Sequence, residues 1–332
     1  MAKKTSPGKV RVAMVGAGGQ GNTAHWPSLA SFEDVEIVAV CELKEKLARE
    51  AAEKYNVPKV YVGDDLHYKK MLEEVAPDAV YAIGQPNIMF EVWLNCLVKG
   101  FNLYIEKPMG ISAHMARMLA YTAEKHDCIT QVSFQRRIAP IAVKMKEEVI
   151  KRGGPINHAV CTFYKWCDDA NLSAPDHMYD DCVHAIDTLR WLCGGELVDI
   201  ESTCKRIEVP NINYITGLMQ FDTGATGVLM NSWRTGRRIF GCEMHSTGCY
   251  ATVEHENDGV LYDHGDYEGK RMTTQEAACS DNYLDWCGFR PKNREFIDAI
   301  KGGPMPASNF SDAVKTMEIA ETILSQAQLM GV

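Results

Sequence analysis

The stretch VRVAMVGAGGQG, residues 10–21, decides the fold of this 332-residue chain. Its first half, Val10–Val15, is rich in β-branched residues and predicts a buried strand. Gly16, Gly18 and Gly21 then complete the pattern G-x-G-x-x-G, and a helical pattern follows. Between a strand and a helix this pattern predicts a dinucleotide site, because the helix N-terminus offers N–H groups to a pyrophosphate.

The acidic residue that follows the motif predicts which dinucleotide is bound. Glu42 ends the next strand-like run, 21 residues after Gly21. A carboxylate at this point bonds the adenosine ribose hydroxyls and repels a 2′-phosphate, so the expected cofactor is NAD, held also by Gly19 and Gln20 of the loop. The alternative is that Glu42 only stabilises the N-terminus of the next helix.

The rest of the chain divides into two patterns. Over residues 1–134, short continuous apolar runs alternate with helices, which predicts a doubly wound parallel sheet in a dinucleotide-binding domain. Over residues 135–332, long strands alternate apolar and polar residues and are interrupted by a helix near Asp181–Cys193. This predicts a substrate-binding and oligomerisation domain with an open, mostly antiparallel sheet.

Composition excludes several classes of partner. The net charge of −9 argues against nucleic acid and anionic membranes, since both require a basic surface. No apolar run approaches the roughly 18 residues of a transmembrane helix. The 12 cysteines form no C-x-x-C pair and predict free thiols in a reducing compartment, hence a cytoplasmic protein.

Three further motifs resemble those of one family. Gln85-Pro86-Asn87 follows the fourth strand, Glu106-Lys107-Pro108 follows the fifth, and Asp180-Asp181-Cys182-Val183-His184 lies in the second domain. Together with the glycine motif, they resemble the Gfo/Idh/MocA family of glucose–fructose oxidoreductases and inositol dehydrogenases. The resemblance extends over nearly the whole chain.

The resemblance implies a Rossmann domain followed by the open-sheet domain, with the active site between them. It implies that Lys107 and His184, assisted by Asp180, are catalytic, that Gln85, Pro86, Asn87, Glu106, Lys107 and Pro108 contact the cofactor, and that the Lys107–Pro108 peptide is cis. It also implies a homodimer or homotetramer. The chemistry agrees, because alcohol oxidation needs a base such as His184 and a cation such as Lys107 near the developing alkoxide.

Candidates for substrate contact are less specific. Aromatic rings stack on sugars and cations select acidic groups, so the candidates are Arg136, Tyr164, Trp166, His177 and Tyr179. Aromatic residues in sheet domains are more often core or interface residues. A metal site built from His177, Asp180, Asp181, His184 and Asp187 is permitted by spacing, but acidic residues also start helices for dipole reasons, and no metal is expected.

The predicted activity is hydride transfer between NAD and a ring secondary alcohol of a sugar, glycoside or cyclitol. One alternative uses the same residues to cleave a glycoside by oxidation and elimination, with the cofactor regenerated in each cycle. Another is a nucleotide-dependent regulator without catalysis. Fold alone does not separate these, because function depends on the site.

Overall fold

The computed structural model describes residues 8–166 and 176–332. It divides into two compact units. The first contains the described residues up to Ser133 together with Phe289–Val314, and the second contains Phe134–Gly288 and Lys315–Val332. The division therefore differs from a single boundary after residue 134, because a C-terminal segment packs with the first unit.

The first unit is built on a six-stranded sheet in which every pairing is parallel. Its strands are β1 (Val10–Val15), β2 (Val35–Glu42), β3 (Lys59–Val62), β4 (Ala79–Ala82), β5 (Asn102–Ile105) and β6 (Thr130–Val132). Its helices are α1 (Trp26–Ala30), α2 (Glu45–Tyr55), α3 (Asp65–Val75), α4 (Pro86–Val98), α5 (Ala113–Lys125) and α10 (Phe289–Ile300). The order β3-β2-β1-β4-β5-β6 reverses between β1 and β4, which is where dinucleotides bind in this class of sheet.

The predicted parallel sheet is confirmed, and its core explains the apolar runs. β1 and β4 are central strands, and all residues of β4 are buried. When both faces of a strand are covered, the side chains on both faces are buried, so the strand is hydrophobic at consecutive positions instead of at every second one. The bounds of the short third strand, β3, were not predicted, since its four residues are at most half-buried and carry no clear periodicity.

The second unit is built on an eight-stranded sheet of order β14-β13-β12-β11-β7-β10-β9-β8. These strands are β7 (His158–Trp166), β8 (Leu197–Lys205), β9 (Tyr214–Phe221), β10 (Thr226–Ser232), β11 (Arg234–Ser246), β12 (Cys249–Glu254), β13 (Asp258–Asp263) and β14 (Lys270–Thr273). Its helices are α6 (Pro140–Gly153), α7 (Val183–Cys193), α8 (Thr274–Ala278) and α9 (Tyr283–Trp286), and α11 (Phe310–Leu329) contributes residues to both units.

This sheet is mostly antiparallel, as predicted, with one exception. β7 and β10 pair in parallel, and the other neighbours are antiparallel. Helix α7 packs on β7 and β10, and α6 packs on β11, β12 and β13. The alternating burial of the strands therefore separates a face that helices cover from a face that is more open.

Among the described residues, no helix combines the length and the apolar composition needed to cross a membrane.

Candidate active site

The glycine loop connects β1 to a helix at the centre of the first sheet. Gly16 has φ +98°, and a Cβ on it would lie 2.1 Å from the carbonyl oxygen of Ile83. Only glycine fits there, because both the conformation and the space forbid a side chain. A Cβ on Gly18 or Gly19 would meet no atom within 4 Å, so the loop surface is open to a ligand.

The helix after the loop starts with a π-helical turn, Gly21–His25, and continues into α1. A Cβ on Gly21 would lie 3.3 Å from the ring of Trp26, which explains the third glycine by close packing. The side chain of Asn22 donates a hydrogen bond to the carbonyl of Ala17 at 2.6 Å and fixes the loop to the helix. The first N–H groups of a helix lack intrahelical acceptors, which suits them to bind phosphate oxygens.

Glu42 lies at the end of β2 and faces this loop. Its carboxylate accepts hydrogen bonds from the backbone N–H of Ala17 at 2.7 Å and of Lys44 at 3.1 Å. The predicted ribose-binding carboxylate is thus next to the glycine motif. It also stabilises the loop, which the sequence pattern did not reveal.

The segments after β4 and β5 carry the other predicted cofactor residues. Gln85 and Asn87 are exposed where α4 begins, and Pro86 is buried at its first position. Glu106 is buried, Lys107 is half-buried, and the Lys107–Pro108 peptide is cis, as the resemblance implied. The loops after β1, β4 and β5 are at the carboxyl edge of neighbouring strands, where α/β sheets bind ligands. These residues fit NAD.

Glu106 is held by residues that sequence reasoning missed. Its Oε1 lies 2.7 Å from Nε2 of His25, and Nδ1 of His25 lies 3.2 Å from Oδ1 of Asn293 on α10. His25 and Asn293 are fully buried. The sequence offered one signal for each residue. His25, four residues after Gly21, and Asn293, in the C-terminal segment, are polar residues at helix positions that are otherwise apolar.

In the second unit, His184 lies in the first turn of α7 and is buried. Its ring meets Phe134 at 5.9 Å and Phe240 at 6.4 Å between centroids, both edge-on. The helix does not begin at Asp181 as predicted, because Met178–Cys182 forms a π-helical turn before α7. Asp180 lies in that wider turn and is half-buried, so its relation to His184 is not that of an i, i+4 pair in a regular α-helix. Single π turns of this kind are frequent at functional sites.

Asp181, the residue beside Asp180, is the centre of a polar cluster. Its Oδ2 accepts hydrogen bonds from Nζ of Lys165 at 2.5 Å and from Nε1 of Trp233 at 3.0 Å. The ring of His177 stacks on Trp233 at 4.5 Å, and Tyr179 is also buried in the same turn. His177 and Tyr179 therefore help to pack the segment that carries Asp180.

The structure separates the other substrate candidates from this cluster. Lys165 of β7 is on the side of the Met178–Cys182 turn, since it pairs with Asp181, and alternation puts the buried Phe163, 5.0 Å from Phe240, on the same side. Alternation along the strand places Tyr164 and Trp166 on the opposite, open face.

Arg136 is only 5% exposed and belongs to a different contact within the second unit. Its Nη2 lies 2.8 Å from Oε1 of Glu256, and its guanidinium lies 4.9 Å from the centre of the Phe240 ring. The positive charge of Arg136 is thus already paired. Asp187 lies 3.3 Å from Nε of Arg137 and is likewise part of a buried ion pair.

Across residues 8–166 and 176–332, no group of three His, Cys, Asp or Glu side chains is arranged to hold a metal ion. Asp181 accepts hydrogen bonds from Lys165 and Trp233, and Asp187 forms an ion pair with Arg137.

Comparisons with known proteins agree with this architecture. The model of an oxidoreductase family with an NAD-binding Rossmann fold, GFO_IDH_MocA, matches residues 10–134. The GFO/IDH/MocA C-terminal domain model matches residues 154–249. The crystal structure of a dehydrogenase from Chromobacterium violaceum has a TM-score of 0.85 at 21% identity, over 98% of this chain and 97% of that one.

Two curated proteins resemble the chain to different extents. The myo-inositol 2-dehydrogenase of Thermotoga maritima is 25% identical over 91% of this chain and 92% of its own length. Glycosyl hydrolase family 109 protein 2 of Akkermansia muciniphila is 30% identical over 122 residues, which are 35% of this chain and only 26% of that protein. The family models and the two-sheet architecture agree, and the chain belongs to the Gfo/Idh/MocA family of NAD-binding oxidoreductases.

Proposed function

We propose that this protein is an NAD-dependent dehydrogenase that oxidises a ring secondary alcohol of a sugar, glycoside or cyclitol. The observation that carries the proposal is the position of Lys107, half-buried on the loop that follows β5, at the same strand edge as the open glycine loop. A cation there lies at the ligand-binding edge of the sheet. The full-length similarity to a myo-inositol dehydrogenase supports a ring alcohol as substrate.

In this proposal each catalytic residue has one task. His184 accepts the proton of the substrate hydroxyl, and the ammonium group of Lys107 stabilises the developing alkoxide. Asp180 orients His184 or contacts a neighbouring hydroxyl. When bound, NAD supplies the hydride acceptor. Gly16, Gly18, Gly19, Gln20, Gly21 and Glu42 hold its adenosine and pyrophosphate part, and Gln85, Pro86, Asn87, Glu106 and Pro108 hold its nicotinamide part.

The direct test is a substrate screen with the purified full-length protein. NAD reduction is followed by NADH absorbance with inositols, free sugars, alkyl and aryl glycosides and sugar acids. Turnover with one of the neutral ring alcohols, abolished in the Lys107→Ala variant, supports the proposal. Tight NAD binding without turnover on any ring alcohol contradicts it.

A second activity is favoured by the partial match to a glycosyl hydrolase family 109 protein. In that reaction, oxidation of a ring alcohol to a ketone acidifies an adjacent C–H, elimination releases the aglycone, water adds to the double bond that forms, and the ketone is reduced again, which would regenerate the oxidised cofactor. An aryl glycoside distinguishes the two activities. Release of the phenol without accumulation of NADH indicates cleavage, whereas NADH formed in proportion to oxidised glycoside indicates dehydrogenation.

We also propose that the chain forms a homodimer or homotetramer through the open face of the second sheet. Neighbouring strands bring Leu218, Val228 and Val160 into register in one row of that face. Leu218 is 44% exposed and Met230, two residues from Val228 on the same face, is 43% exposed. Exposed apolar residues at neighbouring positions of a sheet face are stabilised by pairing with a second copy.

A further inference from the structure

His25 is a polar residue buried in the core of the first unit. Its side chain has no solvent exposure, and its ring lies 5.0 Å from that of Tyr104 and 6.1 Å from that of Phe289. Both ring nitrogens have polar partners. Nε2 lies 2.7 Å from Oε1 of Glu106, and Nδ1 lies 3.2 Å from Oδ1 of Asn293.

The orientation of Asn293 determines where the protons of His25 are. Nδ2 of Asn293 donates a hydrogen bond to the carbonyl oxygen of Phe289 at 2.8 Å. A carbonyl only accepts, so the amide group cannot be reversed without losing this bond. Oδ1 of Asn293 therefore faces His25, and Nδ1 of His25 carries a hydrogen.

The contact with Glu106 then requires a second proton. A neutral imidazole with hydrogen on Nδ1 presents a lone pair at Nε2. A lone pair and a carboxylate oxygen repel each other at 2.7 Å, so a proton lies between these atoms. Glu106 also accepts from the backbone N–H of Lys107 at 3.2 Å and from Nε2 of Gln20 at 3.4 Å. One proton is therefore shared by His25 and Glu106, and the buried pair as a whole carries no net charge.

We propose that His25 is a positioning residue for the proposed dehydrogenase reaction. It forms a buried pair with Glu106, and this contact holds the Glu106-Lys107-Pro108 turn in place. Because the pair has no net charge, no uncompensated carboxylate lies beside the nicotinamide. His25 ends the π-helical turn after the glycine loop, so the pair ties the two cofactor-binding segments together. The role of Lys107 in turnover rests on the proposed function, but the pairing itself does not.

Loss of His25 has a specific electrostatic consequence. Glu106 becomes an unpaired carboxylate in a buried position. The nicotinamide ring is positively charged in NAD⁺ and neutral in NADH, so an uncompensated carboxylate beside it favours the oxidised cofactor. Merely loosened packing weakens the binding of both forms equally. The ratio of the two dissociation constants therefore separates positioning by charge from a structural role.

The experiment compares His25→Gln, Glu106→Gln and the double variant in the full-length protein without sugar. Fluorescence and calorimetric titrations give the Kd values for NAD⁺ and NADH, and thermal unfolding gives the Tm of the cofactor-free protein. We expect His25→Gln to lower the Tm and to raise the ratio Kd(NADH)/Kd(NAD⁺) by about tenfold, the lower end of the effect of a nearby charge.

Glu106→Gln tests the same pair from the other side. A glutamine amide donates to the neutral Nε2 of His25, so the pair stays neutral and the contact is kept. We expect Glu106→Gln to have a ratio Kd(NADH)/Kd(NAD⁺) near that of the wild type. We expect the double variant to have that ratio too, and to regain most of the Tm that His25→Gln loses. Rescue of the Tm shows that the two residues are coupled, and rescue of the Kd ratio assigns that coupling to charge.

Two further variants keep the proposal falsifiable. His255→Gln replaces another fully buried histidine, in the second unit, and leaves the ratio unchanged. Asn293→Leu replaces His25→Gln if that variant does not fold. It keeps His25 but removes the acceptor of its Nδ1 hydrogen, so His25 can become neutral. We then expect the ratio Kd(NADH)/Kd(NAD⁺) to rise. Equal weakening of both cofactor forms with additive effects in the double variant overturns the proposal. Lack of sugar oxidation alone overturns only the proposed function, because these measurements contain no substrate.

Discussion

The carboxylate of Glu42 accepts a hydrogen bond from the backbone N–H of Ala17, over 2.7 Å. This contact connects the end of β2 with the loop that follows β1. The acidic residue that is expected to bind ribose therefore also supports the glycine turn. Substitutions at Glu42 should affect both the choice of cofactor and the geometry of its loop.

We predict a preference for NAD over NADP that depends on Glu42. Glu42→Ala should lower kcat/KM for NAD by about tenfold or more, because a charge-assisted hydrogen bond is lost. The ratio of kcat/KM for NAD to kcat/KM for NADP should fall further, because the repulsion of the NADP 2′-phosphate is lost as well. Initial rates with each cofactor measure this. Glu45→Ala removes an exposed carboxylate three residues away and serves as control. A wild-type preference for NADP contradicts the assignment.

We predict opposite phenotypes for alanine at two neighbouring glycines. Gly16→Ala should destabilise the first unit, because its Cβ would lie 2.1 Å from the oxygen of Ile83 in a backbone conformation of φ +98°. Gly18→Ala should keep the Tm of the cofactor-free protein, since no atom lies within 4 Å, but should weaken NAD binding. Thermal unfolding and NAD titration distinguish them. Normal NAD affinity in Gly18→Ala would show that the loop does not contact the cofactor closely.

We predict that Lys107 and His184 act in turnover and not in cofactor affinity alone. His184→Ala should lower kcat by about 10²- to 10⁴-fold, as for other positioned acid–base groups, with the Kd of NADH nearly unchanged. Lys107→Ala should be at least as damaging to kcat. Steady-state rates and NADH fluorescence titrations measure both quantities, with the exposed His114→Ala as control. Near-normal turnover in His184→Ala would place the base elsewhere.

We predict that Glu256 stabilises the second unit at neutral pH. Burial alone would raise the pKa of this carboxyl, but Arg238 and Arg136 lower its pKa from 4.5 to about 2. The stabilisation is therefore complete above pH 4.5 and is lost as the pH falls towards 2. Glu256→Gln should lower the free energy of unfolding by about 2 kcal/mol at neutral pH, less than a fully buried pair would, because Glu256 is one-third exposed.

Urea unfolding across the acid range measures the Glu256 effect, and the difference between wild type and variant should shrink on acidification. Glu254→Gln is the matched control, since its partner Arg237 is largely exposed and the pair is worth less than about 1 kcal/mol. A difference that stays constant down to the lowest pH would mean that Glu256 acts by packing and not by its charge.

We predict that the open face of the second sheet mediates self-association. A Leu218→Glu, Met230→Glu variant should have the mass of one chain in light scattering at micromolar concentration, because charge in an apolar interface is costly. The wild type should have a multiple of that mass. Leu329→Glu introduces the same charge at an exposed apolar residue outside the sheet and should not change the mass. A monomeric wild type would contradict this prediction.

Strand prediction succeeded where burial followed one regular pattern along the strand, continuous in β1 and alternating in β9. Val10–Val15 has the predicted bounds, and Tyr214–Phe221 shows the alternation predicted for the strands of residues 135–332. In contrast, β11 was missed, because Gly236 and the exposed Arg237 and Arg238 interrupt its alternation at a register irregularity. Pairing with β7 on one side and β12 on the other holds that stretch in the sheet, and this pairing is not visible in local sequence.

The candidate site likewise has one part that the sequence revealed and another that depends on contacts between distant residues. The glycine motif was recognisable because Gly16 and Gly21 meet local limits of conformation and packing. The pairing of His25 with Glu106 joins residues 81 positions apart, and that of Lys165 with Asp181 joins a strand to a π-helical turn. Spacing rules that assume a regular helix do not apply to such a turn.

The sequence by itself determined the two-sheet architecture, the dinucleotide motif and the family, because strand periodicity and glycine conformation are properties of neighbouring residues. Only the tertiary structure decided which polar side chains meet. It put Tyr164 on the open face of β7 and Lys165 on the helix side, paired the charge of Arg136 with Glu256, and enclosed His25 with Glu106. The physical reason is that a buried charge needs a partner, and the partner comes from wherever the chain folds back.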